Sequence, residues 1–306
     1  MLDARQLEAL EAVLDHGGFG AAAQALKLTM AAVSLRIRAL ESAMGTRLVV
    51  RGKAARATPA GQALLAHVKQ LRLMEADLVG GLAGARSTDR TNWQALGVAV
   101  NADSLASWFL PGVAASLSRY RLTLQATVDD QDHTHDALKH GEVVGCVSTL
   151  AKPMRGCVAE PLGTMRYRCV AIPSLAQKCR TKTGVSVHRL LALPAVVFNR
   201  KDALQDAFLL QHFGLASPAY PRHYVPAVDA FEIAVEQGMG WGMVPDLLLA
   251  RRAGRLQLQE VLPGSAVDVA LYWHHWEREP ASAQRLTQAV LKAGRAALIA
   301  PSPARA

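Results

Sequence analysis

The chain has 306 residues, of which 51% are hydrophobic and 19% are charged, and its formal net charge is +9. This length allows two or three folded domains, and this composition is typical of a globular protein and excludes a disordered one. There is no run of about 18 apolar residues and no basic, apolar leader at the N-terminus. We therefore expect no membrane span and a cytoplasmic location.

Two short helices are predicted first. Leu7, Leu10 and Leu14 recur at helical spacing, and Gly17 and Gly18 then end the helix. The alanine-rich segment 20–26 forms the second helix, whose small side chains allow close packing against the first.

A third helix is predicted to begin after Thr29, whose hydroxyl suits an N-cap, and to end at Gly45. Ser34, Arg36 and Arg38 project away from its buried face. A helix, a turn and a basic second helix predict a helix-turn-helix motif with a recognition helix in the DNA major groove. The buried face is one apolar stripe: Val33, Ile37, Leu40 and Met44.

A strand pattern at 48–51 and a basic loop at 52–56 follow, which predicts a wing. Its cations Arg51, Lys53 and Arg56 are expected to reach phosphates or the minor groove. Between Lys27 and Arg72, nine basic residues and one acid give a net charge of +8, nearly the whole charge of the chain. Such a concentration indicates a polyanionic partner, with a solvated basic surface as the alternative.

A long helix is predicted from Thr58, with Pro59 at its first position. Its apolar stripe has to be buried, either against a second copy of the chain, giving a homodimer or tetramer, or against its own domain. The stripe runs over about five turns: Leu64, Val68, Leu71, Met74, Leu78 and Leu82.

The N-terminal segment resembles the LysR-type transcriptional regulators. The motif residues are Ala22-Ala23-Gln24-Ala25-Leu26, Ala32-Val33-Ser34, Ile37, Leu40-Glu41, Gly45, Leu48, Val50-Arg51, Thr58 and Gly61. The resemblance implies a winged helix-turn-helix domain over 1–58 and a linker and dimerisation helix over 59–90. Its implied partners are double-stranded DNA, a further copy of the chain and RNA polymerase.

The recognition helix departs from the family pattern at its start. Met30 and Ala31 replace Gln or Pro and Ser, and Leu35 replaces a polar residue. Thymine-methyl contacts or shape readout would then replace hydrogen bonds to bases. The predicted DNA-binding residues are Thr29, Met30, Ala31, Ser34, Leu35, Arg36, Arg38, Arg51, Lys53 and Arg56.

A polar break, predicted as a hinge, lies at 88–92, and strand and helix patterns alternate after it. Strands are predicted at 95–101, 122–128, 143–149, 167–172 and 195–199. Helices are predicted at 104–118, 135–141, 187–193, 204–213 and 230–237. This alternation predicts an α/β domain with mostly parallel sheets, in which ligands bind at the carboxyl ends of strands.

Polar residues at those strand ends predict an effector site. The turn Asn101-Ala102-Asp103-Ser104 offers amides and a hydroxyl to a carboxylate, and Ser148 and Thr149 end another strand. Carboxylates nearby would suit a zwitterion with an extra cation. For each of these residues, a structural role in a turn or as a helix cap is an equally good explanation. The further candidates follow strands or begin helices: Asp129, Asp130, Asp132, Asn199, Asp202 and Asp229.

The second part of the chain is similar to the LysR-type branch that responds to lysine and arginine and controls basic amino-acid export. The resemblance is carried by segments 100–108, 110–111, 141–145, 147–148, 230–231, 237–238 and 271–274. It implies a periplasmic-binding-protein-like effector domain over 91–306, made of two α/β subdomains joined by crossover strands. Subdomain I would comprise 91–162 and 267–306, and subdomain II 163–266. Lysine or arginine would be the effector, with another small molecule as the alternative, and no other cofactor is expected.

Three other functions compete with a ligand-responsive regulator. An α/β enzyme with a basic appendage lacks any nucleophile elbow, P-loop or H-E-x-x-H motif here, so we expect no enzyme. A solute-binding protein would need an export signal, and a nucleoid-packaging protein would not need the large second domain. Four cysteines without a C-x-x-C pair predict buried or inert thiols, and histidines at 133, 135, 274 and 275 are weak metal signals.

Overall fold

The computed structural model describes residues 2–52, 54–83, 93–128, 131–251 and 258–300. Several predicted features lie outside these residues: Lys53, Asp129, Asp130 and the hinge at 88–92. The side chain of Asp132 lies outside the description as well. No helix in the described part of the chain is long and apolar enough to cross a membrane.

Three helices form the N-terminal core: α1 (Ala4–Asp15), α2 (Phe19–Ala25) and α3 (Met30–Met44). The Thr29 hydroxyl accepts a hydrogen bond from the Ala32 amide at 3.2 Å, which confirms the predicted N-cap. Gly45 ends α3 in the left-handed conformation. The predicted stripe is buried at Val33, Ile37 and Leu40, where it packs against α1 and α2. Met44, predicted as its last member, is 41% exposed instead.

A two-stranded wing follows α3. Strands β1 (Val49–Val50) and β2 (Arg56–Ala57) pair antiparallel, as the strand, loop and return pattern predicts. Glu41 Oε1 accepts hydrogen bonds from the amides of Leu48 at 2.9 Å and Val49 at 3.2 Å. The only acid of the basic stretch therefore fastens the wing to α3.

The long helix α4 (Pro59–Ala83) begins as predicted. The Thr58 hydroxyl accepts from the Gly61 amide at 3.1 Å and so caps it. A side chain at Gly61 would collide with the carbonyl oxygen of Leu48, which explains the glycine at this helix–wing contact.

The apolar stripe of α4 divides into two halves. Leu64 and Val68 are buried, with Leu64 in the core of the N-terminal domain. Met74, Leu78 and Leu82 are exposed by 40%, 62% and 69%. The first half is therefore buried within the chain, and the second half remains available to a partner.

The first third of the effector domain contains β3 (Gln94–Ala99), α5 (Ala102–Ser104), a π-helical segment (Leu105–Phe109), α6 (Leu110–Tyr120), β4 (Leu122–Thr127), α7 (Gln131–Lys139) and β5 (Gly145–Ser148). The single helix predicted at 104–118 is thus interrupted. A π turn holds one more residue than an α turn, and periodicity of apolar residues does not reveal it.

A long strand, β6 (Cys157–Ala171), opens the rest of the domain. The segments that follow are α8 (Pro173–Cys179), β7 (Arg180–Thr181), β8 (Gly184–Val185), α9 (Val187–Leu191), β9 (Ala195–Val197), α10 (Leu204–Phe213), β10 (Arg222–Tyr224), α11 (Val228–Glu236), β11 (Trp241–Pro245), α12 (Asp246–Arg251), β12 (Gln259–Glu260), β13 (Val267–Trp276) and α13 (Ala281–Ala297).

The large sheet has the order β10-β9-β11-β6-β13-β5-β3-β4, with β12 also paired to β6. Pairing is parallel in both flanks, as predicted, but β6 and β13 are antiparallel to each other and to the adjacent flank strands. The two long central strands run between the flanks. They are the crossover strands that the family resemblance implies, while the exact subdomain boundaries stay predictions.

Candidate DNA-binding and effector-binding sites

The outer face of α3 is apolar at its start. Met30 is 60% exposed and Leu35 67% exposed, and Thr29, Ala31 and Arg38 are also exposed. Ser34 is half-buried. Protruding apolar side chains at these positions are suited to contacts with thymine methyl groups rather than to hydrogen bonds with base edges.

The Arg36 side chain contacts α1, which the sequence did not predict. Its Nη1 is 3.9 Å from Glu8 Oε2 and 3.5 Å from the Arg5 carbonyl oxygen. Its guanidinium is therefore shared with α1, whereas Arg38 is exposed on the same helix.

The wing presents Arg51 and Arg56, both exposed. The Arg51 guanidinium lies over the Phe19 ring, 4.7 Å from its centroid. This cation–π contact holds one wing cation next to the start of α2.

Two other cations of the basic stretch form ion pairs with acids of the same chain. Lys69 Nζ is 3.4 Å from Asp15 Oδ1, and Arg72 Nη2 is 3.0 Å from Glu11 Oε2. These ion pairs join α4 to α1. The surface offered to phosphates is therefore smaller than the count of basic residues suggests.

The predicted effector turn connects β3 to α5. Asn101 occupies the N-cap position, and Asp103 accepts a hydrogen bond through Oδ2 from the Tyr167 hydroxyl at 2.8 Å. Asn101 Oδ1 and Ser104 Oγ are buried, and neither has a hydrogen-bond partner among the described residues. Buried polar atoms are normally paired, so this turn has unused capacity for a ligand.

A cavity adjoins this turn, and three carboxylates line it: Asp103, Asp202 and Glu232. Its free volume is about 30 Å³, which suits water-sized occupants only. The cleft therefore has to widen before an amino acid can enter. The other walls are mainly apolar: Phe198, Leu204, Val228, Phe231, Met243, Val244, Pro245 and Leu248.

Burial makes two of these acids, Asp103 and Asp202, reluctant to ionise. It raises the pKa of Asp103 from 3.8 to about 6, although the Tyr167 hydrogen bond opposes the rise; the nearby Asp202 carboxylate adds to it. Burial also raises the pKa of Asp202, while hydrogen bonds from backbone amides lower it. A cation placed between the carboxylates would remove much of this cost.

The side chains of Asp202 and Asn199 also accept hydrogen bonds from backbone amides of the turn in which they lie. Asp202 accepts from the Phe198 amide at 3.1 Å and the Leu204 amide at 3.0 Å, and Asn199 Oδ1 accepts from the Lys201 amide at 2.8 Å. Asp202 thus combines a turn role with a place in the cavity wall, whereas Asn199 is outside that wall.

The remaining predicted residues lie elsewhere. Ser148 is buried at the end of β5, where its hydroxyl accepts from the Leu150 amide at 3.2 Å, and Thr149 follows it. Asp229 is exposed in the first turn of α11. Ala102 belongs to the effector turn. None of these four lines the described cavity, and their role in binding stays a prediction.

The family of the chain is shown by sequence matches. Residues 4–62 match the description "Bacterial regulatory helix-turn-helix protein, lysR family", and residues 97–295 match the LysR substrate binding domain. The chain belongs to the LysR family of transcriptional regulators. Family membership confirms the predicted fold class, a winged helix-turn-helix followed by an α/β effector domain.

Full-length relatives of this LysR-family chain are regulators too. The HTH-type transcriptional regulator ArgP of Aeromonas salmonicida is 36% identical over 297 residues, 97% of this chain and 98% of the relative. The crystal structure of ArgP from Mycobacterium tuberculosis has 35% identity and a TM-score of 0.87, covering 99% of this chain and 100% of that one. The chain is therefore a regulator and not an enzyme.

A second solved structure is that of full-length LysG from Corynebacterium glutamicum with bound effector Arg. It has 32% identity to this chain and a TM-score of 0.81, and the alignment covers 97% of this chain and 99% of LysG.

Two residues of this LysR-family site were missed by the sequence reasoning. Tyr167 was assigned only to a strand, and its bond to Asp103 depends on pairing between distant segments. Glu232 is 2% exposed in α11, on the face that also carries Val228, Phe231 and Val235. A carboxylate inside an apolar stripe is unusual, so that spacing was a usable signal.

Among the described residues, the cysteines form no disulfide and the cysteines and histidines form no metal cluster. All four cysteines are free, and Cys146, Cys169 and Cys179 are buried. The His135 and His274 rings are 4.5 Å apart between centroids. Among the residues that the structure describes, no three His, Cys, Asp or Glu side chains are grouped to hold a metal ion.

Proposed function

We propose that the chain is an oligomeric, operator-binding regulator whose effector is a basic amino acid, lysine or arginine, and that it controls an amino-acid exporter gene. The observation that carries the proposal is the cavity with three carboxylates, Asp103, Asp202 and Glu232, beside the effector turn. The bound arginine in LysG, a relative over the full length, supports the same ligand class.

The cavity suits a cation on an aliphatic stem. Three acids facing one small space repel one another, and burial deprives them of water, so a guanidinium or ammonium group would be bound with a large electrostatic gain. The apolar walls, including Phe231 and Leu248, would contact the methylene groups. A neutral amino acid would bring no cation to the buried Asp103 carboxylate.

The other end of the ligand would meet the effector turn. The unpartnered Asn101 Oδ1 accepts hydrogen bonds and suits an α-ammonium group, and the Ser104 hydroxyl can donate to a carboxylate. The turn lies at the N-terminus of α5, and backbone amides at such a position can bind an anion such as a carboxylate. One cleft would thus hold both ends of a basic amino acid.

DNA binding would use the outer face of α3 together with Arg51 and Arg56 of the wing. A second copy of the chain, joined through the exposed half of the α4 stripe, would place two recognition helices in successive major grooves. Effector-driven movement of the subdomains would then change operator contacts and access of RNA polymerase.

The ligand assignment is tested by thermal-shift and calorimetric titration with the twenty amino acids, citrulline and norleucine. Citrulline keeps the shape of arginine without its charge. We expect arginine or lysine to raise the melting temperature, because a ligand that binds only the native state stabilises it, and citrulline to have no effect. A response to neutral amino acids alone would assign another effector to this regulator.

Three variants locate the binding site. Glu232→Gln and Asp103→Asn should each weaken binding of the basic amino acid by ten- to a hundredfold, the usual loss for a buried charge-assisted contact. Glu277→Gln is the matched control, since Glu277 is an exposed acid of the effector domain that lies outside the cavity wall. Equal loss in all three variants would contradict the cavity assignment.

The target gene is tested separately. Mapping of chain-bound DNA across the genome of the source organism should place an amino-acid exporter gene beside a strong site, and transcription with purified RNA polymerase should respond to the effector. Sites confined to genes without a transport product would contradict the exporter assignment and leave the ligand assignment standing.

A further inference from the structure

Helix α13 of the effector domain has no local N-cap. Its N-cap position is Pro280, which has no side-chain hydrogen bond to the first turn, and that turn contains no acid. Helices leave their first amides unsatisfied and normally recruit a nearby Ser, Thr, Asp or Asn to accept from them. Another part of the chain therefore has to accept hydrogen bonds from the first amides of α13.

Asp77 of the linker helix α4 provides this cap. Its Oδ2 accepts hydrogen bonds from the Ser282 amide at 2.9 Å and from the Ser282 hydroxyl at 3.1 Å. Ser282 is the second residue of α13 and is 1% exposed. A carboxylate at this position also interacts favourably with the helix dipole.

Two more contacts fasten the same face of α4 to the effector domain. Leu73 packs against the main core of that domain. A Cβ added to Gly141 would lie 2.8 Å from Ala66 Cα, so the turn after α7 approaches the α4 backbone directly. Ala66, Leu73 and Asp77 are spaced by seven and four residues, which places them on one helix face.

Helix α13 continues this connection to the effector turn. It packs against α6 and against the π-helical segment that follows Asp103 and Ser104. Gly112 of α6 leaves no room for a side chain next to Ala293 of α13. A continuous packed path therefore runs from the effector turn through α13 to Asp77 and the linker helix.

We propose that Asp77 is the coupling residue that clamps the linker helix to subdomain I, so that subdomain I and the DNA-reading head move as one body. Subdomain II is then the part that moves relative to them when the cleft widens or closes. This inference rests on the proposed function only for its ligand-dependent consequence; the clamp itself is a property of the protein without ligand.

The clamp is tested by amide hydrogen exchange on the full-length protein. Asp77→Ala should speed exchange of the first-turn amides of α13 by at least about fivefold, the effect of losing a capping side chain. Asp77→Asn should restore most of the protection, because its amide oxygen still accepts. Glu75→Ala is the matched control, an exposed acid of the same helix. Unchanged exchange in Asp77→Ala would overturn the clamp.

The coupling role is tested with operator DNA and arginine. Asp77→Ala should bind arginine and ligand-free operator DNA with wild-type affinity, while the factor by which arginine changes operator affinity falls toward one. Asp77→Asn and Glu75→Ala should keep that factor. A full response in Asp77→Ala would overturn the coupling. A wild type that does not respond to arginine or lysine would count against the proposed function, and hydrogen exchange would still decide the clamp.

Discussion

Asp103 faces two opposing demands as a single residue. Buried beside a second acid, its carboxylate is costly to ionise, yet a cationic ligand requires it to be charged. The Tyr167 hydroxyl reduces the conflict by donating a hydrogen bond at 2.8 Å without adding a charge. Burial still raises the pKa of Asp103 to about 6, close to physiological pH. Ligand binding and proton binding should therefore compete at this carboxylate.

That competition predicts a pH-dependent affinity. Above pH 6 Asp103 is ionised, and the dissociation constant of arginine should be constant. Below pH 6 the carboxyl group has to lose a proton before it binds the cation, so the constant should rise by up to about tenfold per pH unit. Arginine keeps its side-chain charge throughout this range.

Calorimetry between pH 5 and 8 measures this effect. Asp103→Asn should bind more weakly and lose this part of the pH dependence, whereas Glu277→Gln, which changes an exposed acid outside the cavity wall, should follow the wild type. A wild-type affinity that is constant from pH 5 to 8 would show that Asp103 does not bind the cation.

Arg56 of the wing carries a second prediction at the residue scale. Arg56 is exposed, and we expect it to bind a phosphate. A contact to a phosphate is the same for every DNA sequence. Arg56→Ala should weaken binding to all DNA sequences alike and reduce the slope of log affinity against log salt by about one. Fluorescence anisotropy on operator and random duplexes from 50 to 300 mM salt provides the measurement.

Arg155→Ala, an exposed arginine of the effector domain, is the control for that measurement. An unchanged salt slope in Arg56→Ala would show that this wing cation does not neutralise a phosphate.

Among the elements, α4 has two faces with different roles. Ala66, Leu73 and Asp77 contact the effector domain, whereas Leu78 and Leu82 are exposed by 62% and 69%. Burying one such leucine in an interface contributes about 2 kcal/mol, so a helix pair with four of them would gain several kcal/mol. The exposed half is therefore the surface expected between two copies.

The double variant Leu78→Glu/Leu82→Glu should separate the oligomer into monomers. Light scattering after size-exclusion chromatography at micromolar concentration measures the mass. Ala76→Glu adds a negative charge to an exposed position of α4 away from that stripe, and it should leave the oligomer intact. Monomers in both cases, or an intact oligomer in the double variant, would contradict this interface.

The elements also show what the sequence can and cannot predict. The cap at Thr29 arises from contacts within one turn, and the buried stripe of α3 from contacts with the neighbouring helices α1 and α2, so spacing alone identifies them. Helix α13 was not predicted, although Ala283, Leu286 and Val290 recur on its buried face at helical spacing and were a usable signal. Its cap comes from Asp77, 205 residues away, and no local pattern contains that information.

The candidate effector site also combines residues that the sequence predicts with residues that it does not. Asp103 and Asp202 were predicted because acids after strands gather at one edge of a parallel sheet. Tyr167 reaches Asp103 only because β6 crosses between the two flanks, and this antiparallel crossover was not evident from the alternating strand and helix patterns. Ser148 and Asp229 satisfied the same sequence rule, yet the structure places neither in the cavity wall.

On the scale of the whole molecule, the two binding sites must influence each other equally. The cavity holds only water-sized molecules, so the proposed effector would have to select a conformation with a wider cleft. If that conformation changes operator affinity by some factor, thermodynamic linkage requires operator DNA to change arginine affinity by the same factor. Allosteric coupling typically changes an affinity by a factor of about 5 to 150.

Both factors can be measured on one preparation: operator affinity with and without saturating arginine, and arginine affinity with and without saturating operator DNA. Equal factors above about five are expected for the wild type. Random DNA of the same length should give a smaller factor, because phosphate contacts alone do not fix the spacing of two recognition helices. A factor of one in both directions would mean that arginine binding and operator binding are independent, and regulation would then have to act after DNA is bound, at the contact with RNA polymerase.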